Sequence, residues 1–243
     1  MRIAVLSDIH SNLVALDAVL AHAGDLDAVW ELGDIVGYGP EPDRVVARLA
    51  AIGAVGVRGN HEAAALGGRE IEWFNPDARA AAAWTGRTIG ADTRAWLEAL
   101  PDVLELEDVT LVHGSPRDPL REYVTSPGVA RANLELLSTT HGLHGHTHVP
   151  VVFSLGDGPI RTRFPGNGDR VDLDTRSLLN PGSVGQPRDG DPRAAYLIID
   201  TDAAAGGATA TWHRVHYDVP AVQAAIRAAG LPGRLADRLA VGT

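Results

Sequence analysis

Five short clusters hold the side chains best able to do chemistry: Asp8-Ile9-His10, Gly33-Asp34, Gly59-Asn60-His61-Glu62, His113-Gly114 and Gly145-His146-Thr147-His148. Their carboxylate, amide and imidazole groups are ligands for divalent first-row ions. The chain has no cysteine, so ligation has to come from oxygen and imidazole nitrogen. Two such ions side by side activate a water and clamp both oxygens of an in-line displacement at phosphorus. Taken singly, the clusters say little, because an Asp or a His after a strand commonly serves a turn or a helix cap. The His146-Thr147-His148 triplet is more specific, since two imidazoles two residues apart are costly to hide and well suited to metal. Each cluster falls at the carboxyl end of an expected strand, where open α/β sheets form their ligand crevice.

The elements that must position these clusters are legible from hydrophobic periodicity. Ile3 to Leu6, Ala28 to Leu32 and Ala54 to Val57 read as strands, and Asn12 to Ala23 and Asp43 to Ile52 as helices between them. This alternation implies βαβ units and a parallel sheet. Asn75-Pro76 opens an Ala-rich helix, and Ala91 to Leu100 is a further one ended by Pro101. Trp73, Trp84 and Trp96 are expected to pack in the core or as caps. Shorter strands follow at Thr110 to His113, Gly142 to His146, Val151 to Leu155, Arg176 to Leu179, Ala195 to Ile199 and Thr209 to His216. Asp157-Gly158 suits a hairpin turn, and Phe164 to Asp169 a surface loop. Ala203 to Ala208 reads as a small-residue turn. Asp218 and Pro220 start a last amphipathic helix with Val222, Ile226 and Ala229 inward. No linker divides the chain, so a single domain over 1–243 is expected, with two packed sheets and helices outside.

Composition narrows the function. The net charge of -10 and the absence of lysine argue against a nucleic-acid or anionic-membrane binder. They also remove Schiff-base and P-loop lysine chemistry. No basic stretch precedes an apolar one at the start, and no apolar run reaches membrane-spanning length, so a cytoplasmic protein is expected. A homo-oligomer is left open.

The order D-x-H, G-D, G-N-H-E, H-G, G-H-T-H from Asp8 to His148 resembles the calcineurin-like metallophosphoesterases. The resemblance implies an α/β fold, a four-layer αββα sandwich with two mixed β-sheets and a dinuclear site on one edge. Carried over by residue, it implies that Asp8, His10, Asp34 and His148 hold one ion. Asp34, Asn60, His113 and His146 then hold the other, with Asp34 bridging. The cofactors implied are two divalent ions from among Mn, Fe, Zn, Co or Ni, with Mn favoured. They would lie roughly 3.5–4 Å apart, with a metal-bridging hydroxide as nucleophile. The resemblance also assigns His61 as the acid that protonates the leaving alkoxide or steadies the transition state.

One departure from the family is informative. Ser/Thr protein phosphatases of this fold carry G-D-x-V-D-R-G, whose second Asp orients the catalytic His and whose Arg grips phosphate. Here Gly37 and Tyr38 stand at those places in the run Gly33 to Pro40. This argues against a protein phosphatase and leaves the orienting partner of His61 unidentified in the sequence. The G-Y-G-P run is similar to small bacterial and archaeal phosphodiesterases or dinucleoside polyphosphate hydrolases. The expected substrate is a small phosphodiester or nucleotide, with an Ap4A-type dinucleotide as the alternative, and a nuclease or a non-catalytic scaffold behind both. Candidate substrate contacts are Arg117 and Arg188 as phosphate grips, Tyr38 as a base stack or packing group, and Asn12 as a substrate contact or helix cap. The loops Gly67 to Pro76 and Arg117 to Pro127 are the places where a base could be recognised.

Overall fold

The computed structural model describes residues 1–202 and 207–243. The first sheet is built from β1 (Arg2–Leu6), β2 (Ala28–Glu31), β3 (Val55–Gly56), β9 (Arg170–Asp172), β11 (Ala194–Asp202) and β12 (Gly207–Val215), in the order β3-β2-β1-β11-β12-β9. The second is built from β4 (Val103–Leu106), β5 (Val109–Val112), β6 (His141–Leu143), β7 (Val151–Leu155), β8 (Arg161–Arg163) and β10 (Arg176–Asn180), in the order β4-β5-β6-β10-β7-β8. Both are mixed. β1, β2 and β3 run parallel, as do β5, β6 and β10, and their remaining neighbours pair antiparallel. Parallel strands put their carboxyl ends on one edge of each sheet, and that edge carries the clusters.

Period-two alternation explains the layering. Ile3 and Val5 of β1 point between the sheets, where Leu111, Leu143, Leu179, Leu197 and Trp212 meet them. Ala4 and Leu6 point outward, against Leu13, Leu16 and Val19 of α1 (Leu13–Ala23) and Val45, Val46 and Leu49 of α2 (Pro42–Ala51). A strand covered on both faces has to be apolar throughout, as β1 is after Arg2. The second sheet is covered outside by α6 (Pro127–Leu134), through Ala130 and Leu134 against Val151, Phe153 and Leu178. The layers are therefore α, β, β and α. A separate apolar cluster joins α4 (Pro76–Thr88), α7 (Val219–Ala228) and α8 (Gly233–Asp237) around Tyr38.

Several expectations shift at their edges. The strand anticipated to run to His146 ends at Leu143, because His146 and His148 have φ of 66° and 60°, which a pleated strand does not allow. The helix from Asp218 is not the last, since α8 and a 3-10 turn over Arg238–Ala240 follow it. α3 (Asn60–Ala65), α5 (Ala91–Glu98), α6, a 3-10 turn over Arg69–Trp73 and the strands β4, β8 and β9 complete the described elements, and all but α5 lay outside the expected ones. The Ser126-Pro127 start of α6 was readable: the Ser126 hydroxyl accepts from the Val129 N–H at 3.4 Å, ahead of a proline at the first helical position. Of the expected small-residue turn, 203–206 lie outside the described residues, and Gly207 and Ala208 belong to β12. Among the described residues no helix is long and apolar enough to cross a membrane.

Candidate metal centre

The loops after β1 and β2 are fastened to each other by their backbones. The N–H groups of Asp8, His10 and Ser11 donate to the carbonyls of Gly33, Asp34 and Ile35 at 3.0, 2.9 and 2.8 Å. Asp8, His10, Ser11, Asp34, Tyr38, His146 and His148 all take positive φ, and among non-glycine residues only Glu107 does so elsewhere in the described chain. Left-handed backbone at bulky residues is costly, so its concentration here marks a constraint imposed by the site. It also sets how Asp8 and His10 come together. They converge through a left-handed turn beyond the end of β1, rather than through the pleat of an extended strand.

Two ligand groups result. In the first, His148 Nε2 lies 3.1 Å from Asp8 Oδ1 and 3.3 Å from His10 Nε2, and His10 Nε2 lies 3.8 Å from Asp34 Oδ2. In the second, His113 Nε2 lies 3.4 Å from the same Asp34 Oδ2, 2.9 Å from Asn60 Oδ1 and 3.0 Å from His146 Nδ1. Asp34 Oδ2 is thus common to both groups, and the two imidazoles of His146-Thr147-His148 separate, one to each. All seven side chains are buried, none more than 8 % exposed.

The donor set fits a pair of cations. The Nδ1 atoms of His10, His113 and His148 face the carbonyls of Val36, Leu32 and Gln186 at 3.1, 2.9 and 2.6 Å. Each of these nitrogens therefore carries a proton, and each Nε2 points inward as a lone pair. Asp8 Oδ2 accepts from the Ser7 hydroxyl at 2.6 Å and the His146 N–H at 3.1 Å, whereas buried Asp8 Oδ1 has no hydrogen-bond partner. Two imidazole lone pairs and an orphan carboxylate oxygen facing one another repel unless a cation lies between them. Glu62 supports this arrangement from behind. Its Oε2 accepts from the N–H groups of Asp34 and Gly59, and its Oε1 from that of Val36, each at 2.8 Å. The Gly59 contact is half of a capping box that starts α3, and it holds Asn60 and His61 beside Asp34. A Cβ on Gly59 would come within 2.3 Å of Asp34 Oδ1.

The electrostatics reflect the same crowding. Burial alone would raise Asp34, but His113, His61 and His10 outweigh it and hold its carboxyl well below the usual range. Burial alone would lower His113, but Asp34, with Asp8 and Glu62, raises it to about 9. Burial and then His113 take His146 down to about 3, and burial and then Asp34 take Glu62 up to about 7.

His61 stands beside both groups. Its ring centroid is 4.4 Å from Tyr38, 4.5 Å from Phe74 and 4.9 Å from His10. Among the described residues no carboxylate orients its ring; this ring cage does. Its Nδ1 is buried without a partner, and a Cβ on Gly37 would lie 2.2 Å from that atom. Gly37 therefore supplies space for the ring, at the place where the protein phosphatases carry their orienting Asp. Burial holds His61 down to about 4.

The remaining expected contacts divide. Tyr38 and Arg188 line a cavity of about 190 Å³ over Asp34, Asn60, His61, His146 and His148. The Arg188 guanidinium is held by Gln186 Oε1 at 2.8 Å and lies 5.8 Å from the Tyr38 ring centroid. Asn12 is committed to structure: its Oδ1 caps α1 by accepting from the Ala15 N–H at 3.0 Å, and its Nδ2 donates to the Gly185 carbonyl at 3.1 Å. Arg117 is not brought to the cavity; it is exposed and ion-paired to Glu122. The same cavity wall includes Trp73, Phe74, Tyr123 and Arg238, none of them singled out individually as a site residue in the sequence. Trp73 is 55 % exposed rather than packed in the core, with the Arg121 guanidinium 4.5 Å from its ring centroid. Tyr123 stacks on His146 at 3.9 Å. Trp73 and Tyr123 come from the two loops marked for base recognition. Arg238 carried no local signal, because only the return of the last helical segment brings it here.

Comparison with known proteins agrees with this geometry. The pattern described as the calcineurin-like phosphoesterase superfamily domain matches residues 1–204. The uncharacterized protein MJ0912 of Methanocaldococcus jannaschii is 35% identical, over 99% of this chain and 98% of its own length. The crystal structure of a metallophosphoesterase from Sphaerobacter thermophilus superposes with a TM-score of 0.90 at 43% identity, covering 100% of this chain and 99% of that one. The hypothetical protein PH1004 of Pyrococcus horikoshii shares the fold, with a TM-score of 0.79 at 21% identity over 100% and 98% of the two chains. With its two six-stranded mixed sheets and its paired Asp/His ligand groups at one sheet edge, the chain belongs to the calcineurin-like phosphoesterase superfamily.

Proposed function

We propose that this protein is a dinuclear-metal-dependent phosphodiesterase acting on a small phosphodiester or nucleotide. The observation that carries the reading is the shared Asp34 Oδ2 between two ligand groups, with His61 beside them in the same cavity. Asp8, His10, Asp34 and His148 would hold one divalent ion, and Asp34, Asn60, His113 and His146 the other. Bound there, the ions would supply Lewis acidity to phosphoryl oxygens and a water activated near neutral pH. The neutral amide of Asn60 adds a ligand to the second group without adding negative charge. With Nδ1 turned toward Gly37, His61 offers Nε2 to a substrate oxygen, where an N–H can meet the charge of the leaving group. Arg188, braced by Gln186, supplies a guanidinium to the phosphate in place of the arginine missing after Gly37. Manganese is the ion to try first, since an Asp/His/Asn shell accepts several first-row metals. The exposed ring of Trp73 and the half-exposed ring of Tyr123 on the cavity wall suit a substrate with a flat base.

The test is hydrolysis by metal-depleted protein to which Mn²⁺ is restored, comparing bis-p-nitrophenyl phosphate, p-nitrophenyl phosphate and a diadenosine polyphosphate. Cleavage of diester or dinucleotide well above the monoester is expected. Preference for the monoester, or no turnover of any of them with two metals bound, would overturn the reading.

A further inference from the structure

Four imidazoles serve the two ligand groups, and the protein holds them in two different ways. His10, His113 and His148 each turn Nδ1 to a backbone carbonyl, so a hydrogen bond fixes the ring while Nε2 faces inward. His146 is turned the other way round. Its Nδ1 faces His113 Nε2 at 3.0 Å, so Nδ1 is its ligand atom. Among the described residues the hydrogen bonds of His146 run through its backbone N–H, to Asp8 Oδ2 at 3.1 Å, and through Nδ1; its Nε2 has none. The backbone is thereby pinned in its left-handed turn at φ 66°, but no hydrogen bond to the outer ring nitrogen fixes the ring. The ring has aromatic neighbours instead. Tyr123 lies over it with centroids 3.9 Å apart and planes 21° from parallel, while His113 meets it edge-on at 4.7 Å. A ring confined by a face and an edge keeps its direction without the carbonyl bond that the other three imidazoles have.

Tyr123 is itself held from both sides along the chain. Its predecessor Glu122 accepts from the Ser115 hydroxyl and the Asn133 side-chain amide at 2.7 Å each, and pairs with Arg117. Its successor Val124 is buried in the cluster of Ala130, Leu134 and Leu137. Ser115 stands two residues after His113, so the segment carrying Tyr123 is tied back to the loop of a second-group ligand. Both partners of the stack are placed before an ion arrives, which leaves little ordering cost at binding.

We propose that Tyr123 is the positioning residue of His146: its ring stacks on the imidazole, keeps Nδ1 aimed into the second ligand group, and so sets the affinity of that group for its ion. The inference rests on the two-ion reading of the site and adds a residue that is not itself a ligand. The first group does not share this dependence, because carbonyls fix the rings of His10 and His148.

The experiment is Mn²⁺ titration of metal-depleted protein by equilibrium dialysis, with bound manganese counted, for the wild type and for Tyr123→Ala, Tyr123→Leu and Tyr123→Phe. Thermal melting of each apoprotein monitors folding. Tyr123 is 48 % exposed, so its truncation opens no closed core cavity. The wild type is expected to take up two equivalents. Tyr123→Ala should weaken one of them about tenfold, the low end of what loss of an outer-shell partner costs, and leave the other at its wild-type Kd. Tyr123→Leu, which keeps bulk without the planar face, should do the same, and it decides the matter if the alanine variant does not fold. Tyr123→Phe should bind both ions as the wild type does, because the ring and not the hydroxyl makes the stack. Two equivalents at wild-type affinity in Tyr123→Ala and Tyr123→Leu would overturn the role. So would equal weakening of both ions, or a phenylalanine variant as impaired as the alanine one. A raised KM for a nucleotide with unchanged Mn²⁺ uptake would also overturn it, leaving Tyr123 as a substrate contact alone. Wild-type protein that takes up fewer than two ions would sink the two-ion reading itself and this role with it.

Discussion

Replacing Gly37 by alanine places a methyl group where His61 now lies. The added Cβ would be 2.2 Å from His61 Nδ1 and 2.9 Å from Cγ, and ordinary contact begins at 3.4 Å. The ring therefore has to move by about 1.2 Å. It has little room to do so, with Tyr38, Phe74 and His10 packed around it at centroid distances of 4.4 to 4.9 Å. A misplacement of about 1 Å in a catalytic group costs on the order of 10²-fold, or ~2.7 kcal/mol of barrier. Full removal of the acid is worth about 10²–10⁴-fold. Gly37→Ala should thus lower kcat about 10²-fold. It should also cost roughly 1–2 kcal/mol of stability, because alanine at φ 88° is strained. The assay is bis-p-nitrophenyl phosphate turnover with Mn²⁺ restored, with bound metal measured by mass spectrometry and folding by thermal melting. A cycle with His61→Ala isolates the cause. In that background the alanine fills vacated space, so Gly37→Ala should lower turnover little further. Wild-type kcat in Gly37→Ala, or an equal loss in both backgrounds, would refute the steric argument.

Asp34→Ala removes the oxygen common to both groups, so it should abolish binding of both metals and turnover together, whereas His61→Ala should keep the metals and lose turnover; metal analysis and kinetics on the two proteins separate these outcomes. Glu62→Gln leaves one carbonyl oxygen to serve three backbone donors that now share two carboxylate oxygens. It should destabilise the fold by about 1–3 kcal/mol and weaken metal binding roughly 10–100-fold, checked by denaturant melts and metal titration. Glu122 is held down to about 2 despite partial burial, by hydrogen bonds from Arg117, Asn133 and Ser115. Its folded value lies below its unfolded one, so its contribution to stability is present above pH ~4.5 and is lost as pH falls toward 2. Acid melts of the wild type should show a loss across that window that Glu122→Gln does not share.

The sequence by itself determined the ligand chemistry and the edge on which it gathers. Asp8, Asp34, His113 and the pair His146 and His148 each follow an apolar strand, and parallel strands bring such ends together whatever the details of packing. The layer order was legible for the same reason, since alternation along β1 demands partners on both faces. Short polar strands such as β8 and β9 were not, because their residues are exposed or half-buried and carry no periodic signal. The sharing of Asp34 was implied by the family resemblance, and tertiary structure supplies its physical cause. Left-handed turns, not the strand pleat, aim Asp8 and His10, and Asp34 becomes common to both groups only because Glu62, 28 residues away, holds its N–H. The cage around His61 joins Tyr38, Phe74 and His10 from three separate segments. The pairing of Arg188 with Arg238 is the plainest case. Arg188 and Arg238 share no local pattern, and the packing of the last helical segment against α7 brings Arg238 to the cavity that Arg188 lines. Local pattern encodes which face of an element is buried. Which distant polar residues share a surface depends on the path of the chain between them, and that is set by packing over the whole core.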